Sequence, residues 1–317
     1  MKIISSQIIN MLGYVDIIQN EDIEINGVST IGNIKKNTII FFKKYSEELA
    51  EIVNNIENCF IILKQEYKSK IKFGKNTYVF AENPRYEYAR VVNAVLKNEE
   101  KNKMNIQLIN GSYISEFSNI HESVFIEPTC YIGNNVKIGK NTIIMAGAKI
   151  KDNVTIGENC IIRENCVIGG FGFGFEKDKS GINYRIPHIG GVIIEDNVEV
   201  GAITTICSGT INPTIIKNYV KIDDHVHIAH NCVIGENCTI TACAEISGSC
   251  IVGKNTWIAP NTSVINGITI GENVTIGMGA VINKSVNNNE VMVGSPAEPL
   301  EDAKKFRKIK IKMMSEV

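Results

Sequence analysis

The sequence predicts a mainly β protein built around a parallel β-helix, with a small α/β domain before it and a short helix after it. Two observations carry that prediction. Isoleucine or valine recurs every six residues in three series: Ile126 to Ile168, Ile194 to Ile206, and Ile216 to Ile282. Glycine often follows directly, as at Gly133, Gly139, Gly157, Gly235 and Gly271. A period of six fits neither the 3.6 of a helix nor the 2 of an ordinary strand. It is the hexapeptide period, in which each repeat makes one face of a triangular coil. Three faces make a coil of about 18 residues, and coils stack at roughly 4.8 Å.

The second observation is a smaller residue four places after each repeat isoleucine: Val136, Thr142, Ala148, Val154, Cys160, Cys166, Cys232, Cys238 and Cys250. A narrow triangular interior admits one large and one small side chain per face, so both positions are expected to point inward. With Cys130, six of the nine cysteines fill this slot. No C-x-x-C pair occurs, and Cys59, Cys207 and Cys243 make no ligand set. Buried free cysteine behaves as a small hydrophobe, and so many of them point to a reducing compartment.

Residues 1–105 lack the period and read as the α/β domain. Helices are expected at Ser6–Leu12 and Ser46–Asn54, and strands at Thr38–Phe42, Cys59–Leu63 and Thr77–Phe80. The segment Pro84–Leu96 reads as a helix with proline in its first turn. Lys97–Lys103 reads as a polar linker. The β-helix is expected over 106–293, with Ile114 and Ile120 extending its register backward, and a tail over 294–317 ends in a basic helix carrying Lys304, Lys305, Arg307, Lys308, Lys310 and Lys312. Two interruptions break the prism: Gly169–Gly191, glycine-rich and too long for one face, and a four-residue slip between Ile206 and Ile216. Insertions in repeat proteins collect where function is built.

The net charge of −1 gives no field to attract nucleic acid or an anionic membrane. No run of 18 or more apolar residues occurs, so no membrane span is expected. The first 15 residues carry no A-x-A-like cleavage site. A cytoplasmic location is the expectation.

Three of the five histidines, His225, His227 and His230, lie within six residues in KIDDHVHIAHN, just after Asp223 and Asp224. Three readings of this cluster stay open on the residues alone. A histidine near a carboxylate is a common general base; polar residues also decorate the outer wall of any β-helix; and the cluster could hold a metal, though at no strong ligand spacing. One coil after His230 comes Gly248, where an approachable backbone N–H could serve as an oxyanion donor.

Longer segments resemble the hexapeptide acyltransferases, above all the UDP-3-O-acylglucosamine N-acyltransferase family of lipid A synthesis. They are INGVSTIGNIKKNTIIFF, NPRYEYARVVNAVL, GGFGFGFEKDKSGINYRIPHIGG, HIAHNCVIGEN and SVING. The resemblance implies a left-handed prism, a homotrimer with sites between subunits, His230 as general base, the Asp224 region holding it, and Gly248 as oxyanion donor. It also implies that Phe41 and Tyr45 hold a nucleotide base. Asp223, His227, Asn231, Phe173 of the G-F-G-F loop, and His188 are further candidates for substrate contact, with Tyr184 nearby. No metal and no permanently bound cofactor are implied; acyl-CoA or acyl carrier protein is the co-substrate, and the basic tail is a candidate carrier contact.

The chain departs from that pattern in the triplet Cys207, Ser208, Gly209, where the family carries Asp-Arg before the glycine, and at Ile268, where some members have histidine. The asparagine expected between Phe41 and Tyr45 is absent, the aromatic loop is about two residues shorter, and the C-terminal extension is shorter as well. These positions touch donor or acceptor recognition. The resulting expectation is an N-acyltransferase acting on a nucleotide-linked amino sugar for a surface glycan, with the lipid A enzyme as the alternative. An O-acyltransferase, a non-catalytic scaffold and a zinc-dependent anhydrase relative are the other classes.

Overall fold

The computed structural model describes residues 2–13, 16–19, 21–100, 105–294 and 300–315. Tyr14 and Val15, the end of the expected linker (residues 101–103) and Pro296 of the expected tail lie outside the described residues.

The first domain is a five-stranded sheet in the order Ile17–Gln19, Thr77–Phe80, Phe60–Leu63, Thr38–Phe41, Gly27–Val28. All its neighbours pair in parallel except the first two. Strand alternation gives each face its own core. Ile39, Phe60, Ile62 and Val79 pack with Ile8 of helix α1 (Ser5–Leu12) and with Tyr88 and Val92 of helix α3 (Pro84–Glu100). On the other face Ile40, Phe42, Ile61 and Leu63 pack with Val53 of helix α2 (Glu47–Asn55). Ser46 caps α2 by accepting the Leu49 N–H at 3.2 Å, and Glu47 and Glu48 complement the dipole of the first turn. The expected linker is helical as far as Glu100, because the straight-chain residues after Leu96 are good helix formers.

Residues from Ile106 onward build the prism, which begins with an antiparallel hairpin, Ile106–Ile109 with Ser112–Ser115. Three parallel sheets of 8, 9 and 10 strands form its sides, the last counting that hairpin. Ile132 pairs with Ile150, and Ile228 with Ile246, each one 18-residue coil apart. From Cys130 onward the repeat isoleucines and valines and the small residues, including Cys130, Cys160, Cys166, Cys232, Cys238 and Cys250, are buried in one continuous column. Each buried isoleucine is worth roughly 1.5–3 kcal/mol, so the period sets the fold by repetition.

The corners follow a rule of their own. Asn135, Asn141, Asn159, Asn237, Asn255 and Asn273 stand at corners with φ between 55° and 57°. Asparagine tolerates that left-handed conformation better than most residues. Their amides also form a ladder from coil to coil: Asn237 to Asn255 at 3.0 Å, Asn255 to Asn273 at 3.2 Å.

Both interruptions fall next to each other. Ile168 pairs with Ile206 across a 38-residue coil, and Ile206 with Ile228 across a 22-residue one. The longer insertion folds into an antiparallel hairpin, Phe175–Lys177 with Asn183–Arg185. The sequence, too long and glycine-rich here for one face, leads one to expect a projecting loop, but the insertion lies against α3. Arg85 pairs with Glu176 at 2.8 Å, Asn93 bonds the Arg185 carbonyl at 2.9 Å, Tyr86 packs edge-on against Tyr184, and Ile186 enters the first domain's core. The insertion thus fastens the two parts together. Helix α4 spans Leu300–Ser315, with its basic side chains exposed.

Candidate active site

The joint between the first domain and the prism encloses a cavity of about 450 Å³. Phe41, Thr30 and Tyr88 line it from the first domain, and Thr210, Asn212 and Asn231 from the prism. Asn231 occupies a corner slot with φ 60° and lines the cavity, and His230 is the residue before it in the chain.

His230 is held on three sides. A side chain at Gly248 would place Cβ 2.7 Å from its Cε1 and 2.8 Å from its Nε2. One at Gly172, in the G-F-G-F loop, would place Cβ 2.8 Å from its Cδ2. Such separations are far inside carbon contact distance, so both positions must be glycine for the ring to sit here. The Gly248 N–H has no acceptor among the described residues. The third contact is Asn231, whose Nδ2 lies 3.0 Å from His230 Nδ1.

That amide has a defined orientation. The Thr210 N–H donates to Asn231 Oδ1 at 2.7 Å, which turns Nδ2 toward His230 and toward Thr210 Oγ1 at 3.2 Å. His230 Nδ1 therefore accepts, and the ring hydrogen resides on Nε2.

His188, in the strap that returns from the hairpin, lies beside it with ring centroids 5.0 Å apart. It is 3% exposed. Its Nδ1 donates to the Ile186 carbonyl at 3.0 Å, so Nε2 carries the lone pair, buried and without a partner among the described residues. Burial, followed by repulsion from His230, pushes its pKa down to about 4. Burial also lowers the pKa of His230, aided by Arg85 and His227. Both rings are neutral at neutral pH.

The other expected residues are placed as follows. Asp224 does not meet His230; it pairs with Arg163 at 2.9 Å and accepts the Ala202 N–H at 2.7 Å. Six residues carry the chain one whole face onward, so equal repeat positions sit at different corners. Asp223 is a turn residue, accepting the N–H groups of Asp224 and Ala242. His225 is an exposed corner residue with φ 59°. His227 lies on the face between, 2.6 Å from Thr205 Oγ1 and in register with Glu245. Among the described residues no group of three or more histidine, cysteine or acidic side chains is arranged to hold a metal.

Phe41 packs against Tyr88 with ring centroids 4.9 Å apart and planes tilted by 39°, and lines the cavity. Tyr45 belongs to the opposite core, packed edge-on against Tyr67 at 5.0 Å beneath Lys70. The two are not a facing pair. Phe173 is 86% exposed and touches Phe175. Ser208, at the Asp-Arg-Gly position, is buried and accepts the Gly191 N–H at 2.9 Å, closing the base of the insertion. Sequence reasoning missed Arg85, Thr210 and Gly172. For Gly172 the alternating glycines were the available signal.

The family model of the bacterial transferase hexapeptide (six repeats) matches residues 117–151, 135–170, 213–248 and 249–284. The chain carries transferase hexapeptide repeats. Among curated proteins, the UDP-3-O-acylglucosamine N-acyltransferase of Campylobacter lari is 55% identical over 75 residues, 24% of each chain. Its namesake from Fusobacterium nucleatum is 60% identical over 73 residues, 23% of this chain and 22% of that one. The matched stretch spans about a quarter of these relatives' length. Among solved structures, the UDP-N-acetylglucosamine acyltransferase of Francisella novicida superposes with a TM-score of 0.55 at 26% identity, covering 63% of this hexapeptide-repeat chain and 73% of its own. That of Campylobacter jejuni gives 0.51 at 26% identity, covering 57% and 68%.

Proposed function

We propose that this hexapeptide-repeat protein is an acyltransferase that moves an acyl group from a thioester to the amino group of a nucleotide-linked amino sugar. The observation that carries the reading is the packing of His230 against Gly248 beside the cavity that joins the two domains. The donor is acyl-CoA or acyl carrier protein, and the product serves a surface glycan. The second reading, UDP-3-O-acylglucosamine N-acyltransferase itself, is favoured by the named relatives' identity of 55–60% over their matched stretch.

The proton bookkeeping is short. The neutral amine attacks the thioester carbonyl, forming the C–N bond, while the Gly248 N–H receives the developing oxyanion. The amine proton passes to His230 Nε2; the C–S bond breaks, and the thiolate takes that proton. An amide and a free thiol remain. For Nε2 to accept, the ring hydrogen must stand on Nδ1, so the Asn231 carboxamide turns over and offers Oδ1. That turn gives up the Thr210 N–H bond, about 1 kcal/mol. General base and oxyanion donor each contribute about 10²–10³ in rate.

The assembly belongs to the same proposal. Ile203, Tyr219, Ile251 and Trp257 are exposed apolar residues of the prism wall, and a homotrimer would cover such positions. The deciding experiment is thiol release from a panel of acyl-CoA and acyl-carrier-protein donors against UDP- and dTDP-linked amino sugars, repeated with His230→Ala. Release abolished by that substitution supports the reading. Undiminished turnover in the variant removes His230 from the mechanism.

A further inference from the structure

Of the described residues that line the joint cavity, Arg85 alone is charged. It stands in the first turn of α3 and lines the cavity together with Phe41, Tyr88 and Asn231. Its guanidinium is held by one carboxylate, Glu176 of the hairpin, through Nη1 at 2.8 Å. Asn83 supports the other carboxylate oxygen at 3.2 Å. The two side chains are 37% and 17% exposed, so this is a half-buried ion pair at the edge of an otherwise uncharged cavity. A planar guanidinium that is already posed for a carboxylate is equally posed for a phosphate.

We propose that Arg85 binds the diphosphate of the nucleotide-linked sugar, and that Glu176 is the stand-in anion it holds while the cavity is empty. A ligand running from Phe41 to His230 places its nucleoside at one end and its sugar at the other. The diphosphate between them would then run through the cavity that Arg85 lines, the one cation among its described lining residues. Two negative charges on the ligand compete for the guanidinium against the one on Glu176. Glu176 sits on the hairpin whose insertion also carries Gly172 and His188, so the exchange would report ligand arrival to the loop that packs on His230. This inference deepens the proposed function and rests on it for the identity of the ligand, although the anion site itself does not.

The test is calorimetric titration of the full chain with UDP, dTDP, uridine and inorganic pyrophosphate. The wild type, Arg85→Gln and Glu176→Gln are compared. Arg85→Gln is expected to weaken UDP about 10- to 100-fold, the cost of one charge-assisted contact, and to leave uridine unchanged. Glu176→Gln removes the competitor and is expected to tighten UDP by a few fold. Equal UDP affinity in wild type and Arg85→Gln overturns the assignment. So does parallel loss of UDP and uridine, or weaker UDP binding by a folded Glu176→Gln, since each would make the pair a structural clasp. Absence of nucleotide binding in the wild type overturns it as well. If no acyl transfer is found with any donor while UDP binding still depends on Arg85, the phosphate site stands and the transfer reading falls. Turnover indifferent to Arg85→Gln gives the reverse.

Discussion

Gly248 approaches the His230 ring so closely that a β-carbon there would lie 2.7 Å from Cε1. Gly248→Ala is therefore expected to push the ring away from its position without disturbing the prism, because the corner's backbone bond from Ser249 to the His230 carbonyl does not involve the new methyl. The expected result is a fall in kcat of about 10²–10³ at nearly unchanged melting temperature. Turnover within a factor of two of wild type would show that the contact is incidental.

The corner asparagines offer a prediction about the fold. Asn255 has φ 57° and is the middle of the amide ladder from Asn237 to Asn273. Asn255→Ala loses two ladder bonds and keeps an unfavourable backbone, so a loss of about 1–2 kcal/mol is expected. Asn255→Gly restores the backbone freedom and should cost less. Urea denaturation of both variants checks the order; alanine equal to glycine would mean that the corner conformation carries no strain.

How much of this could be seen in the sequence differs by residue. The interior was legible because a three-sided coil offers the same inward slots every six residues, so Ile228 and Cys232 announce themselves by position. His230 was legible through the HIAHN segment, and Gly248 by counting one coil. Asp224 was expected near His230 on the resemblance, but six residues carry the chain a whole face onward, and its partner is Arg163 two coils away in the stacking direction. Tyr45 was paired with Phe41 on the resemblance alone, yet it packs with the opposite core. Arg85 was beyond reach for a different reason, and so was the packing of His188 against His230. Their surroundings are created where the insertion meets α3, and no local pattern records that docking.

Asn231 tests the tautomer directly. Its Nδ2 faces His230 Nδ1 because Thr210 holds its oxygen. Asn231→Asp keeps an oxygen for the Thr210 N–H and presents another to Nδ1, so the ring hydrogen moves to Nδ1 and Nε2 is freed without any rotation. The nearby carboxylate also stabilises the imidazolium, which raises the His230 pKa. The acid limb of kcat/KM is expected below the ordinary histidine value of 6.5 in the wild type, since burial lowers this group, and to move upward in the variant. An unmoved limb would remove His230 as the titrating group.

His188 connects the site to stability. Burial, and then His230, push its pKa in the folded chain down to about 4 from the ordinary histidine value of 6.5. Between those two values the unfolded chain binds a proton that the folded chain does not, so stability falls as the solution is acidified through this window. The contribution is fully present above pH 6.5 and lost by about pH 4, with an upper bound on the order of 3 kcal/mol. His230, Arg185 and Arg85 all oppose protonation of this ring, while the Ile186 carbonyl holds Nδ1 in either state. His188→Gln removes the titration but keeps a polar side chain of similar length. The variant's urea midpoint is expected to change less than that of the wild type between pH 6.5 and pH 4.5, with the two curves converging in slope above pH 7. Carboxylates titrate in both proteins and cancel in the difference. Parallel curves throughout would place the His188 ring in water rather than in the wall behind His230.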